Sequence, residues 1–121
     1  MKKIILGALW VIFPFLLQAQ TDIVGTWLNE DQTAKVEVMK QGEGYEGKLV
    51  WVKDERGQDK LGEVIFKDLT TKGKKWNGEV FAMRRGEHYD ATYAVISEGK
   101  ALEIEVSVGL FSQKQTWTRV E

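Results

Sequence analysis

From Thr21 onward, apolar and polar residues exchange places at every second position. Val36 and Val38 alternate with Lys35 and Glu37; Leu102, Ile104, Val106 and Val108 alternate with Glu103, Glu105 and Ser107. A period of two marks strands with one buried face. Polar clusters bearing glycine separate the runs, at 41–44, 55–57, 72–74, 85–87 and 98–100, and glycine accepts the positive φ of tight hairpins. The pattern predicts eight strands, near 23–29, 34–40, 45–53, 63–69, 76–83, 89–97, 101–108 and 115–120. No stretch carries a helical stripe. Connections this short predict an antiparallel meander, and closing it into a barrel removes the two edges of an open sheet. The expected fold is all-β: a single small eight-stranded antiparallel up-and-down barrel. Eight strands enclose an interior that is either packed solid or holds one small ligand.

The segment before the first strand has a different character. Lys2 and Lys3 precede an apolar run from Ile4 to Leu17, and Gln18-Ala19-Gln20 follows. A basic start, an apolar middle and a small residue at the end make up a secretory signal peptide, with cleavage expected after Ala19. The apolar run is shorter than the roughly 20 residues of a membrane-spanning helix, so no span is expected in the mature protein. Residues 1–19 are read as the signal and 20–121 as one barrel domain. The mature charge is then 15 − 18 = −3, since Lys2 and Lys3 leave the total of 17 basic residues while all 18 acidic ones stay. That balance disfavours nucleic acid as a partner. The chain has no cysteine: a lipid-anchored lipoprotein is excluded, and no disulfide supports the fold.

Gly25 and Trp27 lie on one face of the first strand, and Trp117 and Arg119 on one face of the last. Closure of a meander makes these strands neighbours. A guanidinium on an indole face contributes about 0.5–2 kcal/mol, so Gly25, Trp27, Trp117 and Arg119 are expected to plug one end. The "GTWLN" run also matches the start of biotin-binding barrels, in which an asparagine placed like Asn29 contacts the ligand.

Candidate chemistry is sparse. The single histidine, His88, falls in a turn; no serine sits in a nucleophile elbow; Asp54, Glu55 and Asp59 share a loop without the spacing of a calcium site. No catalytic residue, metal site or cofactor is expected, and the reading is of a protein that is not an enzyme. Aromatics carry what remains. Tyr45 and Trp51 are expected on one strand face, Tyr89 and Tyr93 on another, with Phe66 nearby. These five either line an apolar pocket with phenolic hydroxyls at its mouth or fill the barrel. A small hydrophobic ligand follows from the first case, and a solid envelope module that contacts another protein from the second.

Gly-x-Trp at the start with arginine at the end resembles the calycin superfamily of lipocalin-like barrels. In order, "GTW" (Gly25, Trp27), "VEV" (Val36, Val38), "GKLVW" (47–51), "LGEVIF" (61–66), "WNGEVF" (76–81), "YDATYAV" (89–95) and "QTWTRV" (115–120) resemble the bacterial family called domain of unknown function 2147. The resemblance implies a lipocalin-like barrel, and an exported protein with the periplasm as its expected destination, or else secretion. It implies no reaction. The chain departs from the family pattern in two loops, after Trp51 and at Met83-Arg84.

Overall fold

Period-two alternation is realised as eight strands in a computed structural model that describes residues 22–120. The expected signal segment and its cleavage point lie outside the described residues. The strands are β1 (Gly25–Leu28), β2 (Ala34–Gln41), β3 (Gly44–Val52), β4 (Val64–Lys72), β5 (Lys75–Ala82), β6 (Glu87–Ile96), β7 (Ala101–Val108) and β8 (Phe111–Arg119). Each pairs antiparallel with the next, and β8 returns to β1, closing the barrel. Short 3₁₀ turns at Glu55–Lys60 and Ser97–Gly99 are the only helical elements among the described residues. No helix among them is long and apolar enough to cross a membrane.

The inward residues follow the alternation wherever the ladder is regular. Leu102, Ile104 and Val106 of β7 are buried, as are Val36 and Val38 of β2. Two strands break phase. In β3 the register passes from Val36↔Leu49 to Lys35↔Trp51, leaving Val50 as an extra residue. Leu49 and Val52 are consequently buried, whereas Trp51 turns outward at 38 % exposure. In β4, Ile65 and Phe66 are both buried, and Asp68 takes a left-handed conformation (φ 56°) where the ladder to β5 shifts. Such bulges bend and twist a strand, which a barrel this narrow needs in order to close.

The closing seam is short. β1 meets β8 through two pairs, Trp27↔Arg119 and Leu28↔Thr118. Side chains reinforce it. The Arg119 guanidinium lies 4.3 Å from the centre of the Trp27 ring. Its Nε donates to the Gly99 carbonyl (2.6 Å), Nη1 to that of Val24 (2.8 Å) and Nη2 to that of Asp22 (2.5 Å). Trp27 is fully buried, and its indole N–H donates to the Ile23 carbonyl at 2.9 Å. One arginine and one tryptophan thus hold four backbone carbonyls that no strand satisfies. Gly25 makes the chain's entry possible: its φ of 144° belongs to a region open essentially to glycine alone. Burial lowers the Arg119 pKa, and the nearby Asp22 charge opposes that shift.

Trp27→Ala is expected to cost about 3–5 kcal/mol in urea unfolding, the range for removing a buried large aromatic. Arg119→Lys keeps the charge but loses the planar fork and stack, and is expected to cost about 1.5–3 kcal/mol. An unchanged unfolding midpoint in either variant contradicts this account of the seam.

Candidate ligand-binding mouth of the barrel

The interior divides into a filled half and an open half. The filled half adjoins the Trp27–Arg119 closure and centres on Phe66, whose ring meets Tyr93 and Trp117 edge-on, each at 5.1 Å between centroids. Phe66 fits because its β3 neighbour is Gly47. A Cβ on Gly47 would stand 2.7 Å from both Phe66 Cδ2 and Val36 Cγ1. The Tyr93 hydroxyl donates to the Glu79 carbonyl at 2.8 Å. Burial first, and the Glu79 charge second, push its pKa well above the usual 10.

Above this aromatic layer the barrel opens into a cavity of about 460 Å³, within the range typical of small-molecule sites. Its depth is apolar, with Val36, Leu49, Val80 and Val106 around the Trp117 indole. Its rim is polar. The β1–β2 loop brings Asn29, Glu30 and Asp31, and the β5–β6 turn brings Arg84 and Arg85. These connections lie across the barrel from each other in the strand order.

Each rim group has a local reason for its position. The Asn29 carbonyl oxygen accepts from the Thr33 and Ala34 N–H groups (2.7 and 3.1 Å), and its amide donates to the Thr33 hydroxyl. Asn29 therefore shapes the loop, which leaves the biotin-type role unsupported. Because β1 ends at Leu28, the Thr116 N–H has no strand partner there, and the Glu30 carboxylate accepts from it at 2.7 Å. Tyr89 donates its hydroxyl proton to Glu87 (2.8 Å) and accepts from Arg85 Nη1 (3.5 Å).

The inward face of β8 reads, from closure to mouth, Arg119, Trp117, Gln115, Gln113 and Phe111. Gln113 and Gln115 line the cavity, and the Gln115 Oε1 accepts from the Trp117 indole at 2.9 Å. Phe111 pairs with Val108 at the hairpin end; it is 78 % exposed and its neighbour Leu110 is 99 % exposed.

Of the five aromatics expected to line a pocket, Tyr89 alone reaches the cavity wall. Phe66 and Tyr93 are core residues beneath it. Tyr45 lies toward the closed end, edge-on to Trp76 at 6.4 Å. Trp51 is outside the barrel, with Lys35 Nζ 5.2 Å from its ring, because the β3 bulge reverses its side. Within the closure set, Gly25, Trp27 and Arg119 stand together at the closed end, whereas Trp117 lies higher and forms the cavity floor. His88 is exposed, its ring tilted by 47° against that of Phe81 at 4.9 Å. Asp54 accepts from the Arg56 guanidinium and, secondarily, from its backbone N–H, which hold its carboxyl down at about 2. Sequence reasoning missed Arg84, Arg85, Gln113 and Gln115. The two glutamines carried a signal nonetheless, since they continue the inward phase of Trp117 and Arg119.

The architecture defines a lipocalin-like barrel, plugged at one end and open at the other. It is similar to the Helicobacter pylori protein HP1028, described as belonging to the lipocalin family, with a TM-score of 0.67, 18 % identity and 84 % of each chain covered. At that identity the likeness concerns the fold. Residues 25–119 match the family model described as an uncharacterized protein conserved in bacteria, domain of unknown function 2147, and the chain belongs to that family. Comparison with curated protein sequences returns no match. Met83 and Arg84, in the β5–β6 turn, line the cavity rim.

The raised Tyr93 pKa has a signed consequence. The folded phenol keeps its proton at pH values where the unfolded one, near 10, releases it, so its stabilisation is full below that pH and falls above it. Relative to wild type, Tyr93→Phe is expected to lose about 0.5–1.5 kcal/mol near neutrality. That deficit should shrink as pH rises past 10 in denaturant titrations at stepped pH. A deficit independent of pH contradicts the assignment.

Proposed function

We propose that this protein is an exported, lipocalin-like carrier that takes up a small apolar or amphipathic ligand in the cell envelope, and that it acts by binding, without catalysis. One observation carries the reading: the half-filled barrel, in which an apolar cavity of about 460 Å³ opens under a polar rim. A core built only for stability favours close packing throughout. Here the aromatic layer stops halfway, and glutamines continue the inward face above it.

Trp117 on the floor supplies the readout, because a probe entering the cavity meets its indole. An environment-sensitive fatty-acid probe is expected to shift tryptophan fluorescence. Val80→Phe, which places a ring in the cavity, should weaken that binding by about tenfold or more while the fold persists. If Val80→Phe binds the probe like wild type, the cavity is not the site. Export rests on the layout of residues 1–19. Intact mass of the protein recovered from the periplasmic fraction is expected to correspond to a chain beginning at Gln20; a full-length chain confined to the cytoplasm contradicts export.

A second reading, an envelope interaction module, is favoured by the bare apolar tip at Leu110 and Phe111. It predicts that Leu110→Ser with Phe111→Ser abolishes function while probe binding stays intact. The carrier reading predicts that Val80→Phe abolishes function with the tip untouched.

A further inference from the structure

We propose that the ligand is an anionic single-chain amphiphile whose headgroup is held on the β5–β6 side of the mouth by Arg84 and Arg85. The inference rests on the carrier reading and adds the chemistry of the headgroup.

The rim is electrically divided. Glu30 and Asp31 stand on the β1–β2 loop, and Arg84 and Arg85 on the β5–β6 turn across from it. Formal charge cancels, but the hydrogen-bonding states do not. Glu30 is engaged with the Thr116 N–H. Neither Arg84 nor Arg85 has an ion-pair partner among the described residues, where the pairs are Lys48–Glu46 and Arg56–Asp54. Their turn is fixed by the backbone: the Arg85 and Gly86 N–H groups both donate to the Ala82 carbonyl, at 3.0 and 2.8 Å.

Of the other rim groups, Tyr89 adjoins the arginines, 3.5 Å from Arg85 Nη1. The Tyr89 hydroxyl gives its proton to Glu87 and accepts from Arg85 Nη1, so the donors left on this side are those of the two guanidinia. Gln115 stands nearer the acidic loop, because β8 borders β1 and Glu30 accepts from the adjacent Thr116 N–H. Two forked guanidinia without an ion-pair partner among the described residues recognise an oxyanion. The apolar depth between Val36, Val80 and Val106 takes a hydrocarbon chain. Asp31, on the far rim, disfavours an anion near itself and thereby sets the side on which the headgroup lies. A headgroup of the opposite sign would instead sit at Asp31, facing two unpaired cations across the mouth.

The test uses three ligands with the same chain, dodecanoate, dodecanol and dodecylammonium, each below its micelle concentration and titrated into the mature protein. Dodecanoate is expected to bind about tenfold more tightly than dodecanol, the scale of one charge-assisted hydrogen bond, and dodecylammonium most weakly. R84Q/R85Q is expected to bring the carboxylate-to-alcohol ratio close to one. K72Q/K74Q, which removes the same charge at the closed end, is expected to leave the ratio as in wild type. The preference should also weaken between low and high salt, as a rim charge requires. Equal affinity for dodecanoate and dodecanol, or an R84Q/R85Q protein that keeps the preference, overturns the headgroup assignment while the carrier reading stands. Tightest binding of dodecylammonium assigns the headgroup to Asp31 and overturns it likewise. If none of the three binds, the carrier reading falls and takes this inference with it.

Discussion

The stack of Arg119 on Trp27 is the interaction on which the rest of the barrel depends. Seven of the eight seams join strands adjacent in sequence, and hairpin connections keep their partners close. The eighth must bring together the two ends of the domain, and β1 is only four residues long. Two backbone pairs are a slender closure for so large a loop. Arg119 supplements them by holding carbonyls at Asp22, Val24 and Gly99, joining the entry segment, the last strand and the β6–β7 turn at one point. Without that knot the sheet has two open edges, and the interior loses its definition.

Closure at one end governs what happens at the other. Trp27, Phe66, Tyr93 and Trp117 are buried in the interior, with the Phe66 ring against both Tyr93 and Trp117. Gly47 makes room for Phe66, and the shifts in β3 and β4 allow the walls to follow. Above Trp117 the cavity wall carries Val80, Val106, Gln113 and Gln115, and of the five expected aromatics Tyr89 alone reaches it. A solid plug beneath a partly apolar cup is the physical form of the proposed carrier: the filled half supplies rigidity, and the empty half supplies volume.

Much of the fold was legible because alternation is a backbone property. The strands β2, β5 and β7 fall where period two places them, and the family motifs share their order. The Trp27–Arg119 neighbourhood was readable too, since a closed meander leaves the first and last strands no other arrangement. The site was harder to read. One extra residue at Val50 sends Trp51 to the outer surface, and no feature of "GKLVW" announces that bulge. Aromatic content pointed to lining, yet bulky rings serve the packed half best, so Phe66 and Tyr93 went to the core. The start of β8, before Gln115, was missed because Ser112, Gln113 and Lys114 carry no apolar alternation, although Gln113 keeps the geometric phase of Gln115 and Trp117. Polar residues on an inward face look like a strand that has ended, although here they are the wall of the cavity.

Xenon uptake followed by methyl NMR tests the half-filled barrel most directly, because xenon enters apolar cavities without requiring a headgroup. The account predicts saturable shifts at Val36, Leu49, Val80 and Val106 around the cavity, with Leu69, Leu102 and Ile104 in the packed half unmoved. Shifts spread evenly over both groups, or none in either, would contradict a barrel that is solid below Trp117 and hollow above it.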